Sequence, residues 1–403
     1  MKTVAFHTLG CKVNQYDTQA MVELFQKADY HVIPFTEHAD IYVLNTCTVT
    51  NTGDKKSLQL ARRILRNHPD SHLVLAGCLS QRIGEELAST GARLIIGTQH
   101  RNQIVSLLET AIRENKQVVA VSSLADAEYE PLHISGHQQH TRAVMKIQEG
   151  CNRYCTYCII PYVRGPIRSR TLESIQKEAM ALAQAGFCEV VITGIHLGSF
   201  GLDLATKKTL AEILPIFESI DDIKRIRLGS LEPNTITPEF LKALASSTKI
   251  CPQFHLALQS GSNTVLKRMG RRYTKEEFLM SINALRTLFP QAAFTTDVLT
   301  GFPGETEEEF AETIDTCTKA AFSHMHIFPY SPRKGTPAAS FPNQITKKEK
   351  DRRVSTLLSL NDVLSKNYLQ KLFSSVQPVL FEEKTLCDTY IGYTPQYVSV
   401  HVA

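Results

Sequence analysis

Tryptophan is absent from the 403 residues, and no function attaches to its absence. No apolar run is long enough to cross a bilayer, which argues against helical membrane spans. The opening MKTVAFHTLGC has the pattern of a short strand and lacks the extended apolar stretch of a signal peptide. A cytoplasmic protein is therefore expected. Neither sign of charge dominates: 44 Lys and Arg face 40 Asp and Glu, a formal balance of +4. That balance neither demands a nucleic-acid partner nor excludes one, so such a partner has to be argued from local clusters. The apolar fraction of 43% and charged fraction of 21% are those of an ordinary globular chain. Its length allows about two or three domains with a large core. Because a reducing cytosol disfavours disulfides, the ten cysteines point to metal binding or catalysis.

What is present is concentrated in residues 150–170, GCNRYCTYCIIPYVRGPIRSR. Cys151, Cys155 and Cys158 fall within eight residues, with no histidine close by. Three thiolates are one ligand short of a closed tetrahedral site, and a vacancy is the mark of chemistry more than of structure. Spacing alone leaves two readings open: a cluster with an open iron, or half of a zinc site completed from elsewhere.

Residues 1–122 alternate apolar runs (3–9, 41–45, 73–76 and 93–97) with amphipathic stretches. A helix is expected over 14–28 with Met21, Leu24 and Phe25 on one face, and a basic one runs through Lys55, Lys56, Arg62, Arg63 and Arg66. This alternation predicts an α/β domain, a Rossmann-like parallel sheet wrapped by helices. Cys11 follows the run 3–9, Cys47 the run 41–45 and Cys78 the run 73–76, each at a carboxyl end. Ligands of open parallel sheets bind along that edge. One such cysteine could simply be buried; three at equivalent ends point to a shared site with an open position.

Residues 123–141 read as a polar linker, whose His133, His137 and His140 are better explained as solvated loop residues than as metal ligands. From 142 onward six strand-like runs (144–148, 190–193, 225–228, 255–258, 294–299 and 324–328) each precede a helix-like segment. A full or partial parallel barrel follows, with its active site at the strands' carboxyl ends. Thr193, Gly194 and His196 lie at the second of these ends, Gln259 and Ser260 at the fourth, and Asp297 belongs to the fifth. Each could equally serve a turn or a helix cap. Arg164, Arg168 and Arg170 trail the cysteine loop, with Arg225, Arg227, Arg268, Arg271 and Arg272 adding positive charge. Planar guanidinium forks suit phosphate, so RNA is the expected partner of Arg164, Arg168 and Arg170. Cys188, Cys251 and Cys317 fit no motif and read as core. A charged amphipathic helix is expected over 347–373, then strand-like runs at 376–381, 390–393 and 397–402.

The spacing of Cys151, Cys155 and Cys158 resembles the cluster motif of radical S-adenosylmethionine enzymes. Together with Gly10-Cys11-Lys12-Val13-Asn14-Gln15-Tyr16-Asp17, Asn45-Thr46-Cys47 and Ala76-Gly77-Cys78, nearly the whole chain resembles the methylthiotransferases, which replace a C–H bond with C–S–CH3. The resemblance implies two 4Fe-4S clusters, one on Cys151, Cys155 and Cys158, the other on Cys11, Cys47 and Cys78. It implies S-adenosylmethionine at the first, with Tyr157 over its adenine, its methionine end near Thr193, Gly194 and His196, and its ribose near Gln259 and Ser260. Asp297 is a further cofactor candidate on that rim. Reductive cleavage of S-adenosylmethionine would begin the reaction and the second cluster would deliver sulfur, so an electron donor and a sulfur donor are implied partners.

The implied architecture is a partial (β/α)6 barrel over 142–373 and an RNA-binding, TRAM-like β module over 374–403. That module is incomplete, because about three strands fit where a closed barrel needs about five. The segment from Gly10 to Asp17 looks most like the bacterial branch acting at C2 of threonylcarbamoyladenosine beside the tRNA anticodon. Isopentenyladenosine or a ribosomal protein are the alternatives within the family. A non-catalytic zinc- and RNA-binding protein is the alternative from another class.

Overall fold

The computed structural model describes residues 2–135, 141–385 and 388–403, so His137 and His140 lie outside the described residues. Strands β1 (Thr3–Thr8), β2 (His31–Ile33), β3 (Ile41–Thr46), β4 (His72–Gly77), β5 (Leu94–Ile96) and β6 (Val118–Ala120) form one parallel sheet in the order β2-β1-β3-β4-β5-β6. Every residue of β3 is buried, as a central strand covered on both faces requires. Helices α1 (Lys12–Lys27) and α4 (Ile104–Arg113) close one face through Met21, Phe25, Ile104 and Leu108. Helices α2 (Asn51–Asn67) and α3 (Cys78–Leu87) close the other through Ala61, Ile64, Leu79 and Leu87. Helix α1 begins two residues before the expected position, because Cys11 is extended (φ −101°, ψ 176°) and occupies the N-cap.

The second unit is built on β7 (Arg142–Glu149), β8 (Arg168–Ser169), β9 (Glu189–Gly194), β10 (Arg225–Leu228), β11 (Gln253–His255), β12 (Ala293–Thr300) and β13 (His324–Pro329). Strands β7, β9 and β10 pair in parallel, as do β11, β12 and β13, and parallel bridges at Ile226–Ile250 and Leu231–Leu256 join the two sets. Six parallel strands therefore curve into a partial barrel. The short β8, which the sequence pattern did not suggest, runs antiparallel along the outer edge of β7. Strand β11 stops at His255, earlier than expected; beyond it the Leu258 amide turns to the Thr296 hydroxyl (3.0 Å). Alternation sets the faces of the strands. Ala143, Met145, Ile147, Val190 and Ile192 join one core with the surrounding helices, which leaves residues such as Gln148, Thr193, Arg227, His255 and Asp297 for the concave side.

Helix Lys347–Leu372 packs along the barrel and leads into an antiparallel sheet of β14 (Leu380–Lys384), β15 (Tyr390–Tyr393) and β16 (Ser399–Val402). Strand β14 starts four residues later than the pattern predicts. Pro378 has no N–H for a ladder, and its carbonyl accepts from Arg225 (2.9 Å). Arg225 also donates to the Tyr393 carbonyl (3.0 Å) and Arg227 to that of Pro395 (2.9 Å). These two arginines fasten the C-terminal sheet to the barrel, which corrects their reading as phosphate-facing charge. Cys251 and Cys317 are core residues, whereas Cys188 is half-buried.

Candidate active site

Both cysteine triads sit where strands give way to helices or loops. Cys11 caps α1, and Cys78 is the first residue of α3. The partial positive charge of a helix N-terminus favours a thiolate at each place. Cys47 lies just past β3, beside the turn at Gly10. Gly10 has φ +109°, and a Cβ there would stand 3.1 Å from the Cys47 sulfur, so only glycine lets this turn come so close. Cys11 and Cys47 both act electrostatically on Cys78, which marks the three as neighbours. Cys151, Cys155 and Cys158 follow β7 and interact among themselves in the same way. Gly150 starts their loop at φ +72°, where a Cβ would collide with the Pro166 carbonyl.

All six thiols are free. Burial pushes the Cys78 thiol up to about 11 and that of Cys158 up to about 12, so thiolates here require a cation to compensate them. N–H donors already point at three of the sulfurs. The Arg164 Nε lies 3.1 Å from Cys78, the Arg153 amide 3.4 Å from Cys151, and an Arg271 Nη 3.5 Å from Cys155. Among the described residues no group of three His, Cys, Asp or Glu is gathered to hold one metal ion. A four-iron cluster asks for something different, one thiolate for each of three irons. Three free cysteines at each place, with N–H donors on Cys78 in one triad and on Cys151 and Cys155 in the other, fit that demand.

The segment that follows Cys158 packs on the other triad. Ile159 and Val163, on and beside helix α5 (Ile160–Arg164), pack directly on Cys78. Arg164 is fully buried and holds Glu149 (3.0 Å), Asp17 (3.0 Å) and the Asn14 side chain while touching Cys78. Asp17 also pairs with Arg101 and Lys146. The guanidinium groups of Arg101 and Arg164 and the Lys146 ammonium hold Asp17 below the usual carboxylate range against the opposing effect of burial. Arg170 is buried on Glu178 (3.0 Å) and the Lys146 carbonyl (3.2 Å). Arg168 donates to the Arg164 carbonyl (2.8 Å), and two of its remaining nitrogens are buried without a partner. None of these three arginines faces solvent, which corrects their assignment to RNA: Arg164 through Asp17 and Arg170 through the Tyr16 hydroxyl (3.5 Å) tie the two units together, and Arg168 braces Arg164.

Around the loop of Cys151, a carboxylate missed by the sequence reading is the hub. Glu232 contacts His196 (2.9 Å), Arg271 (2.7 Å) and Arg153 (3.2 Å). Burial opposes its charge, yet the His196 hydrogen bond and the flanking guanidinium groups hold it down at about 2. His196 is further fixed by Gln148, which accepts from its backbone N–H (2.7 Å), and by the Ser199 hydroxyl (2.7 Å). Thr193 is buried and Gly194 sits against Gln148, where a Cβ would find 3.0 Å. Tyr157 packs edge-on to Phe302 (6.4 Å between centroids) and senses Cys155 and Cys158. Gln259 takes a left-handed conformation (φ +63°) and pairs with Asp297 and Leu299 through its backbone. The Ser260 hydroxyl is spent on Thr313 (3.3 Å) and the Ser262 amide (3.2 Å); it closes a turn, which corrects its assignment to the cofactor. Asp297 meets His255 (3.3 Å).

Two more features escaped the sequence reading. Arg333 reaches from the barrel to Thr48, Asn51 (2.6 Å) and Asp54 (2.6 Å), clasping the segment that follows Cys47. Tyr154 and Tyr162 form an exposed edge-to-face pair (5.7 Å) beside the cysteine loop.

Comparison with known proteins agrees with this arrangement. Residues 145–317 match the radical SAM superfamily, and residues 3–97 match a group described as uncharacterized protein family UPF0004. A Bacillus subtilis protein called threonylcarbamoyladenosine tRNA methylthiotransferase MtaB is 44% identical, over 99% of this chain and 90% of its own length. A Pelotomaculum thermopropionicum tRNA-2-methylthio-N(6)-dimethylallyladenosine synthase is 35% identical over 95% of this chain and 87% of its own. Among solved structures, the radical S-adenosylmethionine methyltransferase TsrM of Kitasatospora setae aligns with a TM-score of 0.60 at 15% identity, over 84% of this chain and 74% of that one. That likeness concerns the fold.

Proposed function

The chain belongs to the radical S-adenosylmethionine methylthiotransferases of transfer RNA, and we propose that it methylthiolates C2 of threonylcarbamoyladenosine beside the anticodon. It is an enzyme that uses S-adenosylmethionine and 4Fe-4S clusters. When bound, these groups supply the radical and the sulfur that an aromatic C–H bond demands and no side-chain acid or base can provide.

The observation that carries the reading is a pair of open cysteine triads linked by one segment: Ile159, Val163 and Arg164, which follow Cys158, are pressed on Cys78. We assign one cluster to Cys151, Cys155 and Cys158 and the other to Cys11, Cys47 and Cys78. The residues around them position and shield. Glu232 orders Arg153, Arg271 and His196 about the first triad, so their donors stay in place as charge changes there. Arg164 and its carboxylates keep the triads in register across the interface. Tyr154 and Tyr162 offer exposed rings on which a splayed loop base can stack. The basic face of α2, which leaves the Cys47 segment, suits the phosphates that follow. An electron donor and a sulfur donor complete the cycle, and the compartment is the cytoplasm.

Mass spectrometry of tRNA nucleosides from cells with and without the gene tests the substrate. The methylthio form of threonylcarbamoyladenosine disappears in the deletion and returns with the wild-type gene. Its persistence, in cells with no second such enzyme, overturns the assignment.

A further inference from the structure

A cavity of about 430 Å³ lies where the N-terminal sheet unit, the barrel and the C-terminal sheet meet. Its walls include Lys12, Gln15 and Gln19 of α1, Val144 and Val191 of the barrel, and Tyr397 of the connection between β15 and β16. That volume is in the range of small-ligand sites. Its charges are unevenly matched. Arg142, on the wall, is neutralised by Glu382 at 2.6 Å and covered by the rings of Tyr393 and Tyr397. Arg227, beneath Tyr397, pairs with Glu189 at 2.8 Å. Lys12 and Gln15 are exposed and Gln19 is half-buried, and none of these three side chains has a hydrogen-bond or ion-pair partner among the described residues. An ammonium group left over after every nearby carboxylate is paired is one half of a site for an anion.

We infer that this cavity seats the N6 side chain of the substrate nucleoside and that Lys12 binds its carboxylate. The inference rests on the substrate assigned above. A threonylcarbamoyl group carries a carboxylate, a hydroxyl and a urea; the ammonium meets the first, and the amides of Gln15 and Gln19 suit the other two. Position supports the pairing, since Lys12 directly follows Cys11 and an occupant that reaches it lies next to the second triad. On the adenine ring, C2 and the carbon bearing N6 are separated by a single nitrogen. Whatever holds the side chain therefore fixes C2. A dimethylallyl group has nothing to offer the ammonium and would leave it desolvated and unpaired, so the same cavity selects against that substrate.

The test uses the full chain, reconstituted anaerobically, and anticodon stem-loop RNAs carrying threonylcarbamoyladenosine either as the free acid or as its neutral methyl ester. Equilibrium binding is measured by fluorescence anisotropy. The wild type binds the free acid about tenfold or more tighter than the ester, as a charge-assisted hydrogen bond implies. Lys12→Met and Lys12→Gln bind the two RNAs alike, while Lys12→Arg keeps the preference, with iron content as the check that the neighbouring Cys11 site is intact. A preference that survives in Lys12→Met and Lys12→Gln overturns the inference, and so does a wild type that treats acid and ester equally. Failure of the wild type to methylthiolate the free-acid RNA at all is a separate result, and it overturns the substrate assignment itself.

Discussion

Arg164 shows how much of this site depends on which partner a charge finds. Its guanidinium is fully buried and satisfies Asp17, Glu149 and Asn14 while touching the Cys78 sulfur. Removing it leaves two buried carboxylates short of their counter-charge. Arg164→Ala should lower unfolding free energy by about 3–5 kcal/mol in urea titrations of the protein before iron loading, with Arg164→Lys recovering part of it. If Arg164 met RNA phosphate instead, the alanine variant would keep its stability and lose RNA affinity. The sequence showed the charge and its place after the cysteine loop, but not its partner: Asp17 lies 147 positions away in the chain. Glu232 was illegible for the same reason, since nothing local marks it as the meeting point of Arg153, His196 and Arg271. The six cysteines were legible because strand ends and tight spacing are local properties.

At the scale of elements, α2 divides its surface cleanly. Ser57, Ala61 and Ile64, spaced by four and three, are buried. Lys55, Lys56, Arg62, Arg63 and Arg66 are exposed, and none has an ion-pair partner among the described residues. Unpaired cations on one helix match a polyanion, and binding through them releases counterions. Replacing Lys55, Lys56, Arg62 and Arg63 with alanine should flatten the plot of log affinity for tRNA against log salt, by about 0.7–0.9 for each phosphate no longer neutralised. Iron content should stay at the wild-type level. An unchanged slope would place the RNA elsewhere. This helix was visible in the sequence because its charges and apolar positions share one period. Strands β11 and β14 were displaced from their expected places where backbone partners override pattern: the Thr296 hydroxyl takes the Leu258 amide, and Pro378 cannot join a ladder.

At the scale of the molecule, the chain is two parallel-sheet units docked through α1 on β7 and β9 and through α3 on α5, with a short antiparallel sheet fastened to the barrel. The alternation of strands and helices made both units readable, because a parallel strand pair requires a crossover. Their mutual docking was not readable. It depends on the buried network of Asp17, Arg101, Lys146, Glu149 and Arg164 and on the Arg333 clasp, where the pairs that cross between the units, Asp17 with Lys146 and Arg164 and Asp54 with Arg333, are far apart in the chain. The central claim is that this docking sets two separate clusters beside one another, each on its own triad. Iron content and S-adenosylmethionine cleavage, measured together on anaerobically reconstituted wild type, Cys47→Ala and Cys155→Ala, test it most directly. The wild type should hold about eight irons and each variant about four, with cleavage abolished in Cys155→Ala and retained in Cys47→Ala. A colourless, iron-free wild type, or a Cys155→Ala protein that still cleaves S-adenosylmethionine, would contradict it.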